Sequence, residues 1–196
     1  MTSDQPQRPR LPATCGVAFK EWAGICDALV AGRQSLIVRK GGIAEGPRGF
    51  APEHDTFWLY PTHVHQAEQG LKDAPAEPAT PFAGPPDIVE LRALVVVDSL
   101  AFVAREETLA ALHDLHAWSE ETINRRFHYR KPGLWVLGVR VYALRPDPHR
   151  LAVTAEQAGC KTWVSLDPPL ATAGSEPVLD EVEFARRRER LGAALG

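Results

Sequence analysis

The sequence predicts an α+β domain, a mixed sheet of about five strands with helices packed on it. Three observations predict it. Runs of strand length and β-branched or aromatic character recur at 35–40, 56–61, 88–103, 134–144 and 161–166. Elsewhere apolar residues return at helical spacing. The chain has 196 residues, 44% of them apolar and 24% charged, which suits one soluble domain with an ordinary core.

Taken in order, residues 1–17 are polar and proline-bearing and read as a flexible tail. The single α+β domain runs over 18–170. From Phe19 to Val30 the apolar residues Phe19, Trp22, Ile25, Cys26, Leu29 and Val30 form a helical stripe, with Gly32 placed to cap its C-terminus. SLIVRK (35–40) is a strand ended by Gly41 and Gly42. TFWLYP (56–61) is a second strand, stopped by Pro61. Thr62 then suits an N-cap for a helix from His63 to about Asp73.

Five prolines between 73 and 87 make that stretch a stiff, extended loop. Residues 88–103 contain the apolar run Leu94 to Val97, which suits a strand covered on both faces. Leu109, Leu112, Leu115 and Trp118 mark a helical segment, and Ser119 is placed to cap another through Phe127. LWVLGVRVYAL (134–144) is a strong strand and RPDPHR a turn. Thr154 is placed to cap a single helical turn, and KTWVSL (161–166) is a last strand before Pro168 and Pro169. The remaining 171–196 hold a C-terminal helix over 178–195.

No apolar run approaches the ~20 residues of a membrane span, and no secretory leader is visible. Three cysteines at unpatterned spacings argue against a disulfide framework and place the protein in the cytoplasm by default. The formal charge of −3 excludes a globally basic protein but leaves room for a local patch.

Two basic segments stand out. Arg39 and Lys40 lead into Gly41 and Gly42, whose backbone can turn its amides toward an anion, with the helix after Thr62 offering further N–H groups. The pattern is not a phosphate-binding Walker loop, and a plain turn with solvated cations is the competing reading. In RRFHYRK (125–131), Arg125, Arg126, Arg130 and Lys131 surround Tyr129, a combination suited to phosphate contact and base stacking. Across 122–150, seven cations are opposed only by Asp147. The competing reading there is a solvated helix end.

Glu53, His54, His63 and His65 are the candidates for acid–base chemistry beside such an anion site. In a first helical turn His63 and His65 diverge by about 200°, so no metal site is assigned. HDLH (113–116) puts two histidines on one helix face without a third ligand, and Cys160 beside Lys161 has no assigned histidine partner. No cofactor fingerprint is present.

FKEWAGICDALVAGRQSLIVRKGGI, EHDTFWLYPTHVHQ, HAWSEETINRRFHYRKPGLWVLGVRVYAL and GCKTWVSL resemble the bacterial domain of unknown function family numbered 1802, over about 18–167. The family has no assigned activity. Some of its members are associated with an Mrr-type restriction endonuclease domain, which implies a setting beside restriction–modification and restriction-system proteins as partners. The leading expectation is therefore a nucleic-acid-associated module, with DNA or RNA contacted through Arg39, Lys40 and the 125–131 segment. The alternatives are a small phosphate-ester hydrolase built on the histidines and a non-catalytic interaction subunit. Oligomeric state is left open.

Overall fold

The apolar run from Leu134 to Leu144 is the strand around which the rest of the sheet is arranged. A computed structural model describes residues 10–40, 45–46, 49–50, 54–63, 70–72, 87–154, 157 and 161–196. In chain order the elements are β1 (Thr14–Trp22), α1 (Ala23–Val30), β2 (Leu36–Arg39), the short strands β3 (Glu45–Gly46) and β4 (Gly49–Phe50), and β5 (Thr56–Thr62). Then come β6 (Ile88–Leu91), β7 (Ala93–Val103), α2 (Glu106–Ala111), a 3-10 turn (His113–Leu115), α3 (Glu120–His128) and β8 (Leu134–Leu144). β9 (His149–Ala152), β10 (Trp163–Ala171), β11 (Ser175–Pro177) and α4 (Glu181–Leu195) complete the chain.

The result is an α+β fold on a mixed sheet ordered β10-β1-β5-β7-β8-β11. β1 and β5 are parallel; the other neighbours are antiparallel. β2 also pairs with β8, along its first half, while β11 takes the second half of the same edge. One face of the sheet carries the helices over a core that includes Phe19, Phe57, Trp118, Phe127 and Leu137. The other face holds a smaller cluster around Trp58, Tyr60, Leu94 and Tyr142, covered by the two-stranded β6–β9 ribbon.

Several expectations need correcting. The stripe from Phe19 to Val30 is not one helix, because β1 runs through Trp22 before α1 begins. Pairing with β10 on one side and β5 on the other decides for strand there, against the helical spacing of the apolar residues. The sheet also begins at Thr14, inside the stretch expected as tail. Thr62 is not a helix cap but the last residue of β5, opposite Trp22. Pro61 is tolerated because β7 flanks only Thr56 to Trp58, leaving the outer half of β5 open on that side. β10 likewise continues through Pro168 and Pro169, since it is the edge strand. The expected turn at 145–150 ends in β9. The stretch 64–69, most of the proline-rich loop and Cys160 lie outside the described residues.

The local signals hold. Gly32 sits at φ +68, its N–H on the Leu29 carbonyl and that of Arg33 on Ala28, a Schellman ending for α1. The Ser119 hydroxyl accepts from the Thr122 N–H at the start of α3. Among the described residues, no helix is long and apolar enough to cross a membrane.

Candidate functional site

Antiparallel pairing of β2 with β8, from Leu36 opposite Gly138 to Arg39 opposite Trp135, delivers Lys40 to the loop that joins α3 to β8. Its ammonium donates to the carbonyls of Phe127 at 2.7 Å and Gly133 at 2.9 Å, and to that of Lys131. A helix leaves its last carbonyls without internal partners. An ammonium with three donors is suited to collect them. Lys40 therefore clamps the loop, and burial lowers the pKa of its ammonium. The two basic segments separated by some ninety residues in the sequence meet here.

Arg39 turns the other way. Its Nη1 lies 3.4 Å from Glu21 Oε2, its Nη2 donates to Thr162 Oγ1 at 3.2 Å, and its guanidinium stacks 4.6 Å from the Phe19 ring. Glu21 is only 1% exposed, and its other oxygen accepts from the Trp22 N–H. On the far side of Trp22 is Arg126. Its guanidinium lies against a pair of indoles packed edge to face, 4.4 Å from Trp22 and 4.8 Å from Trp118. Burial lowers the Arg126 pKa; Glu21 opposes the shift, and Arg39 and Arg125 add to it. Glu21 thus pairs with Arg39 and acts on Arg126 through its charge alone. Among the described residues, Arg126 Nη1 and Arg39 Nε are buried without a hydrogen-bond partner. Such a surplus of positive charge in a low-dielectric surrounding raises the potential at the nearby surface.

The loop 129–133 follows α3 and leads into β8. Tyr129 is 56% exposed and carries the Arg130 guanidinium 5.1 Å above its ring. Arg130 adopts φ +63, the left-handed region that side chains other than glycine seldom enter. The side chains of Arg130 and Lys131 are exposed and make no ion pair with the described residues. At the far end of the loop Gly133, at φ +128, lies under Phe102, so close that a Cβ there would stand 2.3 Å from the ring. Phe102 is 50% exposed and packs 4.8 Å from Trp135, its cross-strand neighbour. Two of the large exposed apolar side chains therefore flank the exposed cations.

The remaining candidates are dispersed. Arg125 is exposed on α3. His54 packs edge-on to Trp163 at 5.1 Å, and Trp163 in turn packs on Phe19 beneath Arg39. His63 follows the opposite end of β5, facing a cavity of about 310 Å³ with Asp27 and Glu90. Seven strand residues separate the two histidines, roughly 20 Å or more at about 3.3 Å per residue, so they do not converge. Gly41, Gly42, Glu53 and His65 lie outside the described residues. The basic stretch 122–150 does not form one face. Arg140 is buried on Glu181 at 2.5 and 2.8 Å, and Arg145 and Arg150 lie at the far end of β8.

The profile of the domain of unknown function DUF1802 matches residues 18–190. The chain belongs to the DUF1802 family. No curated protein matches it. Among solved structures it is similar to ASCH from Zymomonas mobilis, at 11% identity and a TM-score of 0.44, over 89% of this chain and 94% of that one. A mutant of the same protein matches at 10% identity and a TM-score of 0.45, over 76% and 88%. In this DUF1802 chain, the residues that tie the site together include four that sequence reasoning passed over: Glu21, Trp22, Trp118 and Thr162. Only Glu21 leaves a signal, as an acid set between Phe19 and Trp22 in an apolar stripe, since a buried carboxylate requires a cation.

Proposed function

We propose that this DUF1802 protein is a nucleic-acid-associated module that holds single-stranded DNA or RNA at the loop 129–133. Arg130, Lys131 and Arg125 contact phosphates, and Tyr129 and Phe102 offer faces on which bases stack. Arg39, Lys40 and Arg126 position that surface from beneath and add to its potential. The observation that supports this most is the pairing of exposed cations with exposed aromatic rings on a loop clamped through three carbonyls. Exposed cations beside stacking platforms, with Arg130 and Lys131 in no ion pair among the described residues, suit a flexible polyanion. The association of some family members with restriction endonuclease domains would supply a setting, and a link to restriction systems is part of the proposal only.

The hydrolase alternative needs convergent histidines, and His54 and His63 stand at opposite ends of β5.

Fluorescence anisotropy with short labelled single-stranded DNA and RNA tests the proposal. Binding is expected at about 50 mM salt and should weaken steeply toward about 200 mM. Loss of two phosphate contacts in an Arg130→Ala, Lys131→Ala double variant should lower the salt slope by about 1.4. Tyr129→Ala should weaken binding about tenfold with the slope unchanged. No binding at low salt, or an unaltered double variant, overturns it.

A further inference from the structure

At the opposite end of β8 a second group of arginines surrounds Glu90. Arg92 Nε and Nη2 donate to Glu90 Oε2 at 3.1 and 2.7 Å. Arg150 Nε and Nη2 approach Oε1 at 3.1 and 2.8 Å. Both guanidinium groups hold the Glu90 carboxyl below its ordinary pKa, and each keeps its Nη1 outside these contacts. Arg145 comes from the strand end beside them, and its guanidinium makes no hydrogen bond or ion pair with the described residues. The three arginines and Glu90 line a cleft of about 350 Å³ whose apolar wall includes Leu144, Pro146 and Pro148.

We propose that this cleft binds a small phosphomonoester. Among the residues lining the cleft, three guanidinium groups against one carboxylate leave two positive charges in excess, close to the charge of a phosphomonoester near neutral pH, while Asp27 acts on Arg92 from the neighbouring cavity. Arginine suits the phosphate oxygens because its planar fork donates two parallel hydrogen bonds. Arg92 and Arg150 are preset by Glu90, so little side-chain freedom is lost on binding, and the free Arg145 closes the group from the third side. The proline wall receives the carbon body of the ligand, which inorganic phosphate lacks. A cleft of this size is at the small end of ligand sites, suited to a sugar phosphate. The inference is independent of the nucleic-acid reading, because the eleven residues of β8 set this cleft roughly 35 Å from the loop 129–133, at about 3.3 Å per residue.

Isothermal titration calorimetry of the intact chain with ribose 5-phosphate, inorganic phosphate and ribose tests it. Ribose 5-phosphate should bind, inorganic phosphate several-fold more weakly, and ribose not at all. Arg145→Ala and Arg150→Ala alter exposed side chains and should each weaken ribose 5-phosphate about tenfold, with thermal melting unchanged. An Arg130→Ala, Lys131→Ala variant should bind it as the parent does. Absence of heat, equal affinity for inorganic phosphate, or retention of binding in both single variants overturns the assignment. Loss of binding in the Arg130→Ala, Lys131→Ala variant would also overturn it, by moving the phosphate to the other end of the sheet.

Discussion

The guanidinium carbon of Arg126 lies 4.4 Å from the centre of the Trp22 ring, and this contact fastens α3 to the end of β1. Trp118 packs beside both, its ring 4.3 Å from Trp22 and inclined at 77°. A cation against one indole is worth about 0.5–2 kcal/mol depending on its desolvation, and the arginine stem adds packing. Arg126→Ala should cost about 2–3 kcal/mol in urea unfolding and shift tryptophan emission. Arg126→Lys should restore only part of this, since the ammonium keeps the charge and loses the planar stack. Full recovery with lysine would mean that charge alone matters.

The Lys40 clamp makes a different prediction. Lys40→Ala leaves every exposed cation of the 129–133 loop in place while freeing the carbonyls of Phe127, Lys131 and Gly133. A stability loss of about 1–3 kcal/mol is expected. Amide exchange should quicken at Tyr129 and Gly133, whose N–H groups close the end of α3 on Arg126 and Phe127. Nucleic-acid affinity should fall with no change in its salt slope. An altered slope would make Lys40 itself a phosphate contact.

How far the sequence could be read depends on the range of the interactions. Gly32 and Ser119 were legible because a cap is satisfied within a few residues. The strong strand 134–144 was legible because its apolar run is continuous. Phe19 to Trp22 was misread because its spacing fits a helix, while the strand there is imposed by partners some forty and a hundred and forty residues away. Pro61 looked like a stop for the same reason, since only the sheet order shows that β5 is open beside it. In the site, the exposed cations and Tyr129 could be named in advance. The carbonyl clamp and the indole contact of Arg126 could not: the first depends on β2 lying beside β8, the second on the end of β1 lying against α3.

His116 predicts a pH dependence. The residue is 5% exposed, and burial, with Lys72 and His113 adding to it, lowers its pKa to about 4. In the unfolded chain it titrates near 6.5, so below that pH the unfolded state binds the extra proton. Stability from this group is therefore complete above about pH 6.5 and is lost as the pH falls toward 4. The full effect is about 3 kcal/mol as an order of magnitude. Urea midpoints at pH 7, 5.5 and 4.5 should fall in the parent and flatten in His116→Gln. An equal fall in both would assign the acid sensitivity to carboxylates.

Arg130 separates stability from binding. A non-glycine residue at φ +63 bears about 1–2 kcal/mol of steric cost, and glycine bears none but loses more chain entropy on folding. Arg130→Gly should thus leave stability unchanged or raise it by up to about 1 kcal/mol. Strain that persists on an exposed cation is expected where the cation is used, so the same variant should bind single-stranded nucleic acid more weakly. Arg130→Asn, which tolerates this backbone region without the charge, should match glycine in binding and come close to it in stability. Thermal melting and anisotropy on the three proteins decide the matter. A variant that is both more stable and equally tight in binding would make the strained arginine a feature of the turn alone.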